Sequence, residues 1–107
     1  MCGRFTITAD LDEILDTFSV DETNYDYLKR FNVAPTQLIP GVIERDGKRV
    51  LEGFRWGLIP FWSKDTKIGY KMINARAEGI EKKPAFRHLI KRNRILIASN
   101  GFYEWRQ

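Results

Sequence analysis

Apolar positions along the chain fall into short runs whose period changes from segment to segment. Arg4-Phe5-Thr6-Ile7-Thr8 alternates polar and apolar side chains, the period of a strand with one buried face. Leu11, Ile14, Leu15 and Phe18 then recur at helical spacing behind Asp10-x-x-Glu13, which predicts an amphipathic helix over about 9–19 with its acids outside. Residues 21–30 are polar and irregular. Phe31 to Pro35 and Leu38 to Ile43 are extended stretches whose prolines suit sheet edges or loops. Arg45-Asp46-Gly47-Lys48 places an Asp-Gly pair between apolar runs, a hairpin signal with its return strand at 49–55.

Further on, Trp56-Gly57-Leu58-Ile59-Pro60-Phe61-Trp62 is too rich in Gly and Pro for a helix and reads as a loop or strand end. Pro84 suits the first turn of a second helix reaching about Arg92, with Phe86, Leu89 and Ile90 toward the core. Ile95 to Ala98 reads as a short buried strand, and Ser99-Asn100-Gly101 turns the chain into a last strand, Phe102-Tyr103-Glu104-Trp105. The elements together predict a single α+β domain over 1–107, dominated by a mixed, curved, barrel-like β-sheet with two short helices. A strand closing the sequence implies a truncated domain with later strands missing, or an exposed edge that pairs with a second copy.

Composition narrows the classes. With 43% hydrophobic and 13% aromatic residues the chain can bury a modest core and is not a disordered polymer. One Cys excludes an internal disulfide, and one His beside one Cys cannot make a Cys/His zinc site, so no metal and no cofactor is expected. No apolar run approaches the ~20 residues of a membrane span, and the first residues lack a signal-peptide layout, which predicts a cytoplasmic protein. In a bacterial cell it would be nucleoid-associated.

Charge is uneven. Residues 1–28 hold seven acids and one base, net −6, whereas 29–107 hold 17 bases and seven acids, net +10. Residues 64–94 alone carry ten bases against three acids. Such a segment, studded with aromatics, suits either a polyanion or a solvated basic face.

Several residues can carry chemistry. If Met1 is removed, Cys2 offers an α-amine of pKa about 7.7 to 8.0 beside a thiol of pKa about 8.5. The amine can attack an aldehyde to give an imine, and the thiol can close onto the imine carbon as a thiazolidine. The same residue can instead be a nucleophile for amide hydrolysis with its own amine as base, or be inert. Glu104, between Tyr103 and Trp105, is either a proton carrier raised by apolar surroundings or an outward strand residue. Extended, Asn74-Ala75-Arg76-Ala77-Glu78 puts Asn74, Arg76 and Glu78 on one face, as a phosphate-holding site or as a surface ion pair. Trp56, Phe61 and Trp62 can stack on bases while Lys64, Lys67 and Lys71 track a backbone; the competing reading is core. His88 reads as solvent-facing.

Taken together, Met1-Cys2-Gly3-Arg4-Phe5, Arg30-Phe31-Asn32-Val33-Ala34-Pro35-Thr36, Trp56-Gly57-Leu58-Ile59-Pro60, Asn74-Ala75-Arg76-Ala77-Glu78 and Gly101-Phe102-Tyr103-Glu104-Trp105 closely resemble the SRAP family, named for SOS-response-associated peptidases. The resemblance implies a sensor of abasic sites in single-stranded DNA that crosslinks covalently through its N-terminal cysteine. It also implies removal of whatever precedes Cys2, by autoproteolysis or ordinary processing, and lyase activity. Carried over by position, Cys2 would crosslink, Asn74 would orient its amine or a sugar oxygen, and Glu104 would move protons. Arg76 would hold phosphate, and Arg4, Asn32, Pro35, Trp56 and Trp62 would contact and shape the strand. The family pattern runs to about twice this length and includes a catalytic histidine that His88 does not match, so the chain resembles the N-terminal portion of an SRAP domain.

Overall fold

The computed structural model describes residues 2–104. Two sheets carry the fold. A three-stranded antiparallel sheet has the order β3 (Arg30–Val33), β1 (Arg4–Ile7), β7 (Gly101–Tyr103). A four-stranded mixed sheet has the order β2 (Glu22–Thr23), β5 (Lys48–Arg55), β4 (Leu38–Arg45), β6 (Leu96–Ile97), with β2 parallel to β5 and the other pairs antiparallel. The α+β class is therefore as expected, but among the described residues the sheets do not close into a barrel.

Alternation in β1 buries Phe5 and Ile7 against Ile14, Val33, Ile39 and Ala98. The hairpin between β4 and β5 turns at Asp46 and Gly47, both with positive φ (52° and 79°), the type I′ geometry an Asp-Gly pair favours. Pro40 lies in β4, a central strand, not the edge its chemistry suggests. The β6 ladder reaches only Gly41 and Val42 and so stops before the proline's missing donor would matter.

Three expectations need correction. The first helix, α1 (Leu11–Thr17), is shorter than 9–19: Ser19 takes a left-handed φ of 51° and Val20 N donates to Leu15 O, which stops it. Asp10 precedes α1 without capping it, because its carboxylate pairs with Lys29 at 2.6 Å. The second helix is absent among the described residues. Around 84–93 the backbone mixes four-residue bonds (Arg87 N to Lys83 O, Asn93 N to Leu89 O) with three-residue ones (Phe86 N to Lys83 O, Arg92 N to Leu89 O). Phe86, Leu89 and Ile90 are only half-buried there, too little packing to pull the turns into a regular helix. Short 3₁₀ turns occur instead at Thr66–Tyr70 and Ile80–Lys82. Finally, β6 is an edge strand with Ile95, Leu96 and Ile97 exposed and only Ala98 buried. The expected last strand is ordered as β7; Trp105 lies outside the described residues.

Candidate functional site

Between the two sheets opens a cleft of about 820 Å³, and Cys2, Asn74 and Glu104 all line it. Each arrives from a different part of the chain. Cys2 leads into β1, half-buried against the core, with its Sγ 3.5 Å from the Arg4 carbonyl. Asn74 sits in an irregular segment and donates from Nδ2 to the Cys2 carbonyl at 2.8 Å. Glu104 follows β7, and alternation decides its direction. Tyr103 sends its hydroxyl to the Phe31 carbonyl (2.8 Å), so Phe102 and Glu104 fall on the cleft side. Glu104 is exposed at this rim rather than enclosed as the apolar-strand reading expected.

Trp56 positions Asn74 more than it offers a stacking face. Its indole Nε1 donates to the Ile73 carbonyl at 2.9 Å, and Leu58 N donates to the Met72 carbonyl at 2.8 Å. These two bonds clamp residues 72–73 against the segment after β5, and Asn74 follows directly. The Trp56 ring packs on Phe5 with centroids 5.3 Å apart. Gly57 permits the clamp: at φ 124° a Cβ there would lie 2.4 Å from the Gly69 carbonyl oxygen, so only glycine lets the two backbones cross.

Arg4 and Asn32 are neighbours on β1 and β3, with the guanidinium donating to Asn32 Oδ1 at 3.2 Å. Pro35 opens a type II turn whose next residue, Thr36, has φ 74°. Thr36 N donates to the Trp56 carbonyl and Trp56 N to the Gln37 carbonyl, which ties the turn to the cleft wall. Arg76 and Trp62 do not line the cleft. Arg76 is exposed two residues beyond Asn74 and makes no ion pair among the described residues, so the expected pair with Glu78 is not formed. Trp62 stands outside with Phe61, which is 79% exposed and contacts both the Trp62 ring (5.0 Å) and the His88 ring (6.0 Å) edge-on. The lysines Lys64, Lys67 and Lys71 are exposed nearby in sequence, and Asp65 caps their 3₁₀ turn through Lys67 N at 2.9 Å.

The remaining lining was missed by sequence reading. Ile39, Phe54, Ile73, Ile95 and Ile97 look like core residues by type, and only the splaying of the sheets turns them into a wall.

The sequence profile of the SOS response associated peptidase (SRAP) family matches residues 1–107. The chain belongs to the SRAP family. It is 49% identical over its whole length to a Bacillus subtilis protein named abasic site processing protein YoaM, covering 48% of that protein. It is 31% identical over 76% of its length to the Gallus gallus abasic site processing protein HMCES, covering 28% of it. A crystal structure of a Bacteroides thetaiotaomicron protein superposes with a TM-score of 0.81 at 25% identity, over 99% of this SRAP chain and 49% of the other. The SRAP chain thus spans about half the length of its bacterial relatives.

Proposed function

We propose that this SRAP chain captures abasic sites in single-stranded DNA covalently through Cys2. The observation that supports it best is the meeting of Cys2, Asn74 and Glu104 in one cleft, with the Asn74 amide on the Cys2 carbonyl. The open form of an abasic sugar is an aldehyde. Once Met1 is lost, the Cys2 amine attacks the aldehyde carbon, the resulting carbinolamine loses water to an imine, and the thiol sulfur adds to the imine carbon. The thiol proton passes to nitrogen, closing a thiazolidine without any change of oxidation state. Glu104 protonates the departing hydroxyl and accepts the proton that nitrogen gives up. Asn74 holds the Cys2 backbone so that amine and thiol meet the sugar together. Arg4, Asn32, Pro35 and Arg76 receive the flanking phosphates and sugars, and the rims of Trp56 and Trp62 turn the strand. In this reading the protein works in the cytoplasm, at the nucleoid of a bacterium. Among the described residues no helix is long and apolar enough to cross a membrane.

Intact mass spectrometry after incubation with abasic single-stranded DNA tests the proposal. The expected product weighs protein without Met1 plus DNA less one water, and it is absent with Cys2→Ala. An undiminished adduct in that variant would overturn the assignment. Retention of Met1 in Glu104→Gln alone would add self-cleavage to the roles of the same site; loss of Met1 in both proteins assigns its removal to ordinary processing.

A second reading, DNA binding without an adduct, is favoured by the exposed Phe61 and Trp62, close in sequence to the 3₁₀ turn that carries Lys67 and is flanked by Lys64 and Lys71, residues suited to base stacking and backbone tracking. It predicts salt-sensitive binding that Cys2→Ala leaves intact.

A further inference from the structure

Glu104 lines the cleft only because β7 lies on β1 in one register, with Arg4 opposite Tyr103, Phe5 opposite Phe102 and Thr6 opposite Gly101. Continued one step, that register brings Glu104 opposite Gly3, next to Cys2. A slip of one residue would turn Glu104 out of the cleft and put Tyr103 in its place. The strand itself has little to prevent a slip. It is 3 residues long, and Phe102 and Tyr103 are 67% and 53% exposed, so within this chain burial pins neither face. At its far end the Tyr103 hydroxyl reaches the Phe31 carbonyl (2.8 Å), a bond that the same register brings within range.

The turn before β7 supplies what the strand lacks. Asn100 N donates to the Thr6 carbonyl at 2.9 Å, and the Asn100 side-chain oxygen accepts from the backbone N–H groups of Thr8 (2.7 Å) and Ala9 (3.1 Å). Both partners are donors, which fixes the amide with its oxygen toward them, and among the described residues its Nδ2 donates to nothing. Thr8 and Ala9 are a firm anchor, since the Tyr27 hydroxyl also holds the Ala9 carbonyl at 2.6 Å. We infer that Asn100 is a positioning residue for Glu104: by gripping the chain just beyond β1 it sets the register of β7 and so delivers the Glu104 carboxylate to the Cys2 end of the cleft. Its part in capture rests on the function proposed above; the register does not.

The test compares the full 107-residue chain with Asn100→Ala, which removes the acceptor, and Asn100→Asp, which keeps an oxygen before both N–H groups. Cross-strand NMR contacts between Phe5 and Phe102 and between Arg4 and Tyr103 are expected in the parent and in Asn100→Asp, and lost in Asn100→Ala. Their persistence in Asn100→Ala overturns the inference. The rate of adduct formation with abasic single-stranded DNA is expected to fall at least about tenfold in Asn100→Ala, about 1.4 kcal/mol, and to stay within about twofold of the parent in Asn100→Asp. In a Glu104→Gln background the alanine substitution is expected to change the rate by less than about twofold, because no carboxylate is then left to misplace. An equal loss in both backgrounds assigns Asn100 to the fold at large and overturns the inference, as does Asn100→Asp being as slow as Asn100→Ala. If Asn100→Ala fails to fold, Asn100→Gln takes its place, since it keeps the amide but sets its oxygen one methylene further out. A parent that forms no adduct removes the proposed capture and leaves the register to be decided by the NMR contacts alone.

Discussion

Asn74 illustrates how little a side chain of the candidate site needs to do for stability. It is exposed and among the described residues gives one hydrogen bond, to the Cys2 carbonyl, so Asn74→Ala is expected to cost no more than about 1 kcal/mol in denaturant unfolding. Adduct formation with abasic DNA, followed by mass spectrometry over time, is expected to slow at least tenfold in the same variant, about 1.4 kcal/mol or more. Thr36 shows the reverse balance. A β-branched residue at φ 74° stores about 1–2 kcal/mol, and Thr36→Asn, which tolerates that region, is expected to raise the unfolding midpoint. An unchanged or lower midpoint would mean that the threonine hydroxyl compensates its strain. In the core, Ile7 is almost fully buried, and Ile7→Ala is expected to cost about 2–5 kcal/mol.

At the scale of elements, the crossing of Gly57 and Gly69 joins the clamp on Asn74 to the lysine-bearing 3₁₀ turn. Gly57→Ala combines a forbidden φ with a clash on backbone, and a loss of about 3 kcal/mol or more is expected in thermal unfolding. The hairpin offers a pH test. Hydrogen bonding from the Arg45 guanidinium holds the Glu52 carboxyl below its ordinary value. A lowered folded value means stabilisation that is present above the usual carboxylate range and is lost as pH falls through the folded value. Glu52→Gln is therefore expected to be less stable than the parent at neutral pH and equal to it in strong acid, by melting curves across that range. The same hairpin was the most legible element, because Asp46-Gly47 fixes turn type and register together. The helix expected over 84–92 was misread for a physical reason: its apolar spacing is real, but the fold leaves Phe86, Leu89 and Ile90 only partly covered.

For the whole molecule, charge segregation sets the expectation for DNA. With net +10 beyond residue 28, binding to single-stranded DNA is expected to weaken steeply with salt. Replacing Lys64, Lys67 and Lys71 together by alanine is expected to flatten the log-log salt slope by about 2, read by fluorescence anisotropy. The α+β class was legible in the sequence because local pattern carries it, and the motifs named Cys2, Asn74 and Glu104, which share the cleft; its apolar lining from Ile39, Phe54, Ile73, Ile95 and Ile97 was not legible. The sheets' failure to close among the described residues and the exposure of β6 were not, because they depend on which distant strands meet. Nor was the role of Trp56: its side chain looks like a stacking platform until its indole is found holding the backbone before Asn74.

The hydrogen bond from Asn74 to Cys2 would also change what kind of nucleophile serves the proposed capture. Chain ends ordinarily fray, and a reactive group on a frayed end must be brought to order at each encounter. Here the residue that would bear both amine and thiol in the proposed reaction has its carbonyl held by the Asn74 amide at 2.8 Å. In the proposed capture, the orientational entropy of the encounter would be settled when the protein folds, and the aldehyde would meet the effective molarity of a built active site rather than that of a loose peptide.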